Sequence, residues 1–277
     1  MLDPRVTPMR PDLAARYLEG KVEASRFVDG VVMQVVDPLV SIHAAPSHQA
    51  EQWTQALLGE RVTIYDRDDN GWAWGQLGGD GYVGWLPDSA LGPLAAAPTH
   101  RVSALRTFAF AQPSIKLPPV AMLPMGALLT IDHVETDFAV TTDRLFIPAR
   151  HVGARDDVAR DFVAIAERFL GTPYLWGGKS SLGIDCSGLV QIALNASGVG
   201  CPRDSDMQRD RLGAGVSLSD VRRGDLLFWK GHVAIARDAT TMVHANAHHM
   251  ATAIEPIRDA IARIAAAGSE LLAIKRL

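Results

Sequence analysis

The sequence predicts two small all-β modules in tandem, followed by an α+β domain with an antiparallel sheet. Three observations carry this expectation. Short strand-like runs broken by glycine turns fill residues 31–95, a similar texture recurs over 99–150, and the hydrophobic period turns helical after Gly153. The predicted layout is an N-terminal extension (1–30), two β modules (31–95 and 99–150) and a C-terminal domain (155–277).

Each element has a local reason. The extension is polar and proline-marked, and Asp12 to Tyr17 reads as a short helix with Asp12 as cap. Val31–Val36, Arg61–Tyr65, Trp72–Trp74 and Tyr82–Trp85 read as strands, with turns at Asn70-Gly71 and Gly78–Gly81. His43, His48 and His100 fall in predicted loops or linkers. Pro93 to Pro98 reads as the linker between the modules. In the second module the strand-like runs are Leu105–Ala109, Leu128–Asp132, Phe138–Thr141 and Arg144–Pro148. Phe162, Ile165, Ala166 and Phe169 then share one helical face, with Asp156 or Asp157 as cap and Gly171 as stop. A second helix is expected from about Ser187 to Asn195, and a third after Asp204-Ser205, which resembles a capping box. Three strands follow at Asp225–Trp229, His232–Ala236 and Met242–Ala245. The spacing of Ile254, Ile257, Ile261 and Ile264 predicts a last helix packed on the core.

Composition narrows the function. The 277 residues are 48% hydrophobic and 21% charged, which excludes a disordered chain, a fibre or a coiled-coil rod. Net charge is −4, and the first 150 residues hold 12 basic and 17 acidic groups, so a nucleic-acid footprint is absent. The two cysteines, Cys186 and Cys201, make no disulfide framework. The N-terminus has no basic run followed by an apolar stretch, and no apolar window reaches about 18 residues. The expectation is a cytoplasmic protein with reduced thiols and no membrane partner.

Chemistry concentrates after residue 170. Cys186 is predicted at a helix N-terminus, where unpaired N–H groups and the helix dipole favour a thiolate. The flanking Gly183 and Gly188 let backbone approach a ligand closely. His232 and His244 lie on two strands joined around Arg237–Thr241. A loop with an odd number of residues sets them opposite each other on one sheet face, as a base and its orienter require; a two-residue loop separates them. Zinc is the competing chemistry, through Cys186, His232, His244, His248 and His249. With no Cys-x-x-Cys and no His-Glu-x-x-His, thiol catalysis ranks ahead of it, and His248 and His249 read as exposed loop residues. No metal or cofactor is expected.

Four motifs in register, Gly171–Gly178, Asp185–Val190, Gly224–Trp229 and Gly231–Ile235, resemble the NlpC/P60 cysteine peptidases. The tandem β modules look like bacterial SH3 domains, the second only faintly. The resemblance implies SH3-like barrels before a papain-like α+β domain. It implies Cys186 as nucleophile, His232 as base, His244 as orienter and Tyr174 as an oxyanion donor. It also implies substrate contacts from Asp185, Ser187, Asp204 and Ser205, with Tyr82 and Glu51 (over Glu60) from the first β module. Asp204-Ser205 as a helix cap, Asp185 as a ligand of loop amides and Tyr82 as barrel packing are the bland readings beside these. The implied activity is cleavage of the γ-D-Glu–L-diamino-acid bond in murein tri- or tetrapeptides bearing a free N-terminal L-Ala, in recycling. An exported wall endopeptidase and a non-catalytic peptidoglycan binder are the alternatives.

Overall fold

The computed structural model describes residues 2–277. The chain forms two compact units, the first running to Arg155 and the second spanning Asp156–Leu277.

The first unit is built from strands. A seven-stranded antiparallel sheet contains β1 (Val31–Val35), β2 (Leu39–His43), β3 (Gln52–Leu57), β4 (Arg61–Arg67), β5 (Trp72–Leu77), β6 (Val83–Pro87) and β7 (Leu91–Gly92). Its order is β3-β2-β6-β5-β4-β1-β7. In β4, Val62 and Ile64 point into the core while Arg61 is exposed, the period-two pattern of a half-buried strand. The predicted turn at Asn70-Gly71 is present: Gly71 takes φ +84°, and the Asp68 carboxylate accepts the amides of Asn70 and Trp72. β2 and β3 had no sequence signal, so His43 ends a strand and is buried instead of lying in a loop. Asp12 to Tyr17 is not a helix. Ala14–Ala15 pairs in parallel with Phe27–Val28, and a 3₁₀ turn follows at Arg16–Leu18.

Residues 100–154 form three small antiparallel sheets. They use β8 (His100–Val102), β9 (Arg106–Ala109), β10 (Ala121–Pro124), β11 (Leu128–Leu129), β12 (Ile131–Glu135), β13 (Phe138–Thr141), β14 (Phe146–Pro148) and β15 (Val152–Ala154). The sheets run β11-β8-β15, β9-β10 and β12-β13-β14. Thus His100 opens a strand. Val102, Ala109, Leu123, Leu129 and Ile147 make a core separate from that of the first sheet, although Leu58 packs against it and its carbonyl accepts the Leu128 amide at 2.8 Å.

The second unit is α+β. Helix α1 (Phe162–Glu167) is capped by Asp161, not by Asp156 or Asp157, because its carboxylate accepts the amides of Val163 and Ala164. Helices α2 (Cys186–Ala196) and α3 (Ser205–Arg211) follow the two-stranded β16 (Lys179–Ser180) and β17 (Gly183–Ile184). A six-stranded antiparallel sheet is ordered β18-β23-β19-β20-β21-β22. Its strands are β18 (Ala214–Gly215), β19 (Leu226–Trp229), β20 (His232–Ala236), β21 (Thr241–Asn246), β22 (Ala251–Pro256) and β23 (Ala273–Arg276). Ala234, Ala236 and Met242 pack with Ile257 and Ala260 of α4 (Ile257–Ala266), while α2 packs on β20 and β21. The predicted tail helix exists, but Ile254 belongs to β22.

Candidate active site

Cys186 is the first residue of α2. The loop before it closes because Gly188 faces the Gly178 carbonyl, so closely that a Cβ there would overlap the oxygen. Asp185 is the N-cap: its Oδ1 accepts the Gly188 amide at 2.6 Å and its Oδ2 the Gly177 amide at 2.8 Å. The same two oxygens take Arg203, at 3.0 Å from Nη1 and 2.6 Å from Nη2. The Ser187 hydroxyl donates to Asp185 at 3.2 Å and accepts from Arg203 at 2.9 Å.

Five donors therefore fill a carboxylate with about four lone-pair sites. Asp185 and Ser187, expected to meet a substrate amine, are thus engaged within the unit. Both help fix the turn that presents the thiol, and Arg203, only 1% exposed, neutralises Asp185.

The thiol is 6% exposed and lies against the start of β20. Its Sγ is 4.0 Å from the Gly231 carbonyl, and the amides of Val233 and Ser187 turn toward it. Burial, reinforced by the Asp185 charge, pushes the thiol up to about 12, against the helix-terminus effect. Burial also lowers His232 to about 3. The resting pair is thus a neutral thiol and a neutral imidazole, not the thiolate that the helix position alone suggested.

His232 and His244 do share a sheet face. The five-residue connection sets Ala236 opposite Met242 and Ile235 opposite Val243. Continued along the strands, this register places Asn246 opposite His232, so the two histidines are diagonal neighbours and not directly opposed. Their rings still meet, with His232 Nε2 2.9 Å from His244 Nδ1. Behind them lie two residues that the sequence motifs did not flag. Glu255 Oε2 is 3.1 Å from His244 Nε2, and Arg263 of α4 grips that carboxylate with Nε at 3.0 Å and Nη2 at 2.6 Å. Burial lowers His244 to about 4, opposed by the Glu255 charge, and Arg263 holds the Glu255 carboxyl below its ordinary value against burial.

Tyr174 lies in the same unit. Its hydroxyl is pushed up by burial and then by the Cys186 and Asp185 charges. Ser205 is buried at the start of α3, and Asp204 is that helix's N-cap residue without a side-chain cap bond, so the capping-box reading of Asp204 fails. His248 and His249 are exposed on the β21–β22 turn. In the first unit Tyr82 is 4% exposed within the sheet core, the packing reading of that residue, and Glu51 is exposed just before β3. Glu60 Oε2 accepts the Leu57 amide at 3.2 Å.

Among the described residues, ligand atoms of His244, His249 and Glu255 lie within 4.8 Å of one another. A metal there must compete with Arg263 for the carboxylate. No described helix is long and apolar enough to cross a membrane.

Residues 42–91 match the bacterial dipeptidyl-peptidase SH3 domain, and residues 171–263 match the NlpC/P60 family. Dipeptidyl-peptidase 6 of Lysinibacillus sphaericus is 26% identical over 237 residues, covering 76% of this chain and 86% of that protein. The gamma-D-glutamyl-L-lysine dipeptidyl-peptidase of Bacillus cereus is 28% identical over 244 residues, covering 74% and 70%. A crystal structure of an NlpC/P60 family protein from Bacillus cereus superposes with a TM-score of 0.76 at 21% identity, over 89% of this chain and 99% of that one, a likeness of fold. The second unit thus carries an NlpC/P60 peptidase domain, with a cysteine beside a histidine pair, and the first unit carries a region matching the bacterial dipeptidyl-peptidase SH3 domain.

Proposed function

We propose that the chain hydrolyses the γ-D-Glu–L-diamino-acid bond of short murein peptides with a free N-terminal L-Ala, and that it serves peptide recycling in the cytoplasm. One observation carries the reading: two relatives named for dipeptidyl-peptidase activity match over about three quarters of the chain, not over the peptidase domain alone. In this reading residues 31–95 and 99–150 are both SH3-like modules, and the second unit is papain-like.

The roles follow the chemistry of each group. Cys186 Sγ attacks the γ-carbonyl while His232 takes the thiol proton. His232 then passes that proton to the leaving amine of the diamino acid. Water, deprotonated by His232, clears the acyl-enzyme and releases L-Ala-D-Glu. The Cys186 amide and the Tyr174 hydroxyl stabilise the oxyanion. A cavity of about 180 Å³ lined by Lys230, His232 and Asn246 supports a place on that side for the leaving diamino acid, whose carboxylate the Lys230 ammonium can meet. With Asp185 engaged by its own unit, Asp204 and Ser205 carry the recognition of the free amine.

A paired digest tests the reading. The protein receives L-Ala-γ-D-Glu-meso-diaminopimelate and its N-acetylated twin, with Cys186→Ala as control and mass spectrometry as readout. Release of L-Ala-D-Glu from the free peptide alone is expected. Cleavage of both peptides replaces the free-amine specificity with that of a wall endopeptidase, and cleavage of neither by reduced protein overturns the substrate assignment.

A further inference from the structure

The histidine pair is held from behind, and the holding has a direction. Neutral imidazole carries one N–H, so each ring must place it on Nδ1 or Nε2. His244 Nε2 stands 3.1 Å from Glu255 Oε2. A bare Nε2 there sets lone pair against carboxylate, so Nε2 carries the proton and donates it. His244 Nδ1 is then an acceptor. Its partner 2.9 Å away, His232 Nε2, must be the donor. That leaves Nδ1 of His232 unprotonated, the only ring atom free to accept a proton from sulfur.

We infer that Glu255, clamped by Arg263, is a positioning residue that sets the tautomer of His244 and, through it, the tautomer of His232. The inference rests on the reading of His232 as the base of Cys186. It extends the set two residues outward, along a diagonal from β20 through β21 to β22 and onto α4. Arg263 makes the device one-directional. Its two bonds keep Glu255 ionised and aim Oε2 at His244. The other ring near His244 is His249, 6.3 Å away between centroids, whose Nδ1 is engaged by Asn246 Oδ1 at 3.0 Å. His249 is therefore turned to its own turn.

The deciding experiment reads the rings directly. The full chain, labelled with ¹⁵N-histidine, is examined by long-range ¹H–¹⁵N correlation at neutral pH, with His232→Gln and His244→Gln used for assignment. Both rings are expected in the Nε2–H form. Glu255→Leu removes the acceptor. It is expected to redistribute the His244 proton onto Nδ1 and to lower kcat about 100-fold, within the range a positioned base supplies. KM should stay within about twofold, because the ground-state contacts are untouched. Glu255→Gln keeps an oxygen facing Nε2, so it retains the ring signals and loses less than about tenfold in kcat. Tryptophan fluorescence and thermal unfolding check that each variant is folded; where the leucine variant is not, the glutamine variant and the parent spectrum carry the test. An Nδ1–H ring at His244 in the parent overturns the proposal. So does a folded Glu255→Leu protein whose ring signals and kcat match the parent. The ring signals require no substrate, so they decide the proposal even where the murein peptide is not cut.

Discussion

Two arginine–carboxylate pairs flank the reactive residues of the second unit, and they differ in one respect. Arg203–Asp185, ahead of the thiol, is closed: the side chains are 1% and 9% exposed, and every carboxylate site is filled from within the unit. Arg263–Glu255, behind His244, is half open: the guanidinium is 29% exposed, and one carboxylate oxygen also serves the imidazole. A saturated, buried pair has no capacity left for chemistry and acts as scaffold. A pair with a shared oxygen can bias a neighbour's proton.

The contrast can be broken at either end. Arg203→Met strands a buried carboxylate and is expected to cost about 3–5 kcal/mol in urea unfolding. Activity should fall with the folded fraction, and Asp185→Asn in the same chain should recover part of the loss. Arg263→Met should cost only about 1–2 kcal/mol, since its partner keeps solvent and His244. Its kcat should fall more than its stability suggests, which steady-state kinetics on the folded protein reads.

The histidines sharpen the comparison through pH. The fold holds His232 near 3 and His244 near 4, mainly by burial, whereas the unfolded chain binds protons at about 6.5. The stability tied to their neutral forms is complete above about pH 6.5 and is lost as pH falls toward 4, because only the unfolded chain gains protons in that window. Melting temperature should drop across it, and His244→Asn should make the drop shallower. The smallest effect is expected at Arg223, whose pair with Asp161 is 41% and 46% exposed. Arg223→Ala should change stability by less than about 1 kcal/mol.

Much of this site was legible before the fold. Cys186 at a helix start and two histidines on adjoining strands follow from residue type, periodicity and a connection of odd length. Their diagonal offset was not, because it depends on which residues of the connection join the turn. Glu255 was hidden for the same reason. It sits opposite Met242, two residues from the register partner of His244, and reaches the ring only by crossing the sheet obliquely. The fate of Asp185 depended on Arg203, 18 residues away in another motif, and no local pattern announces such a pairing. In the first unit, β2 and β3 lacked the clean alternation that marked β4: Thr54, Gln55 and His43 are buried polar residues that disguise interior positions as loop.

The buried, protonated state of Cys186 also governs how the protein meets oxidants. Peroxides and alkylating reagents attack the thiolate, and susceptibility follows thiolate character and exposure. A cysteine that is 6% exposed, with its thiol pushed up to about 12 by burial, offers little of either. In the proposed mechanism its nucleophilicity emerges only when a carbonyl is in place to receive the electron pair and His232 to receive the proton. The same burial that costs the enzyme a ready thiolate guards it against sulfenic acid formation between turnovers.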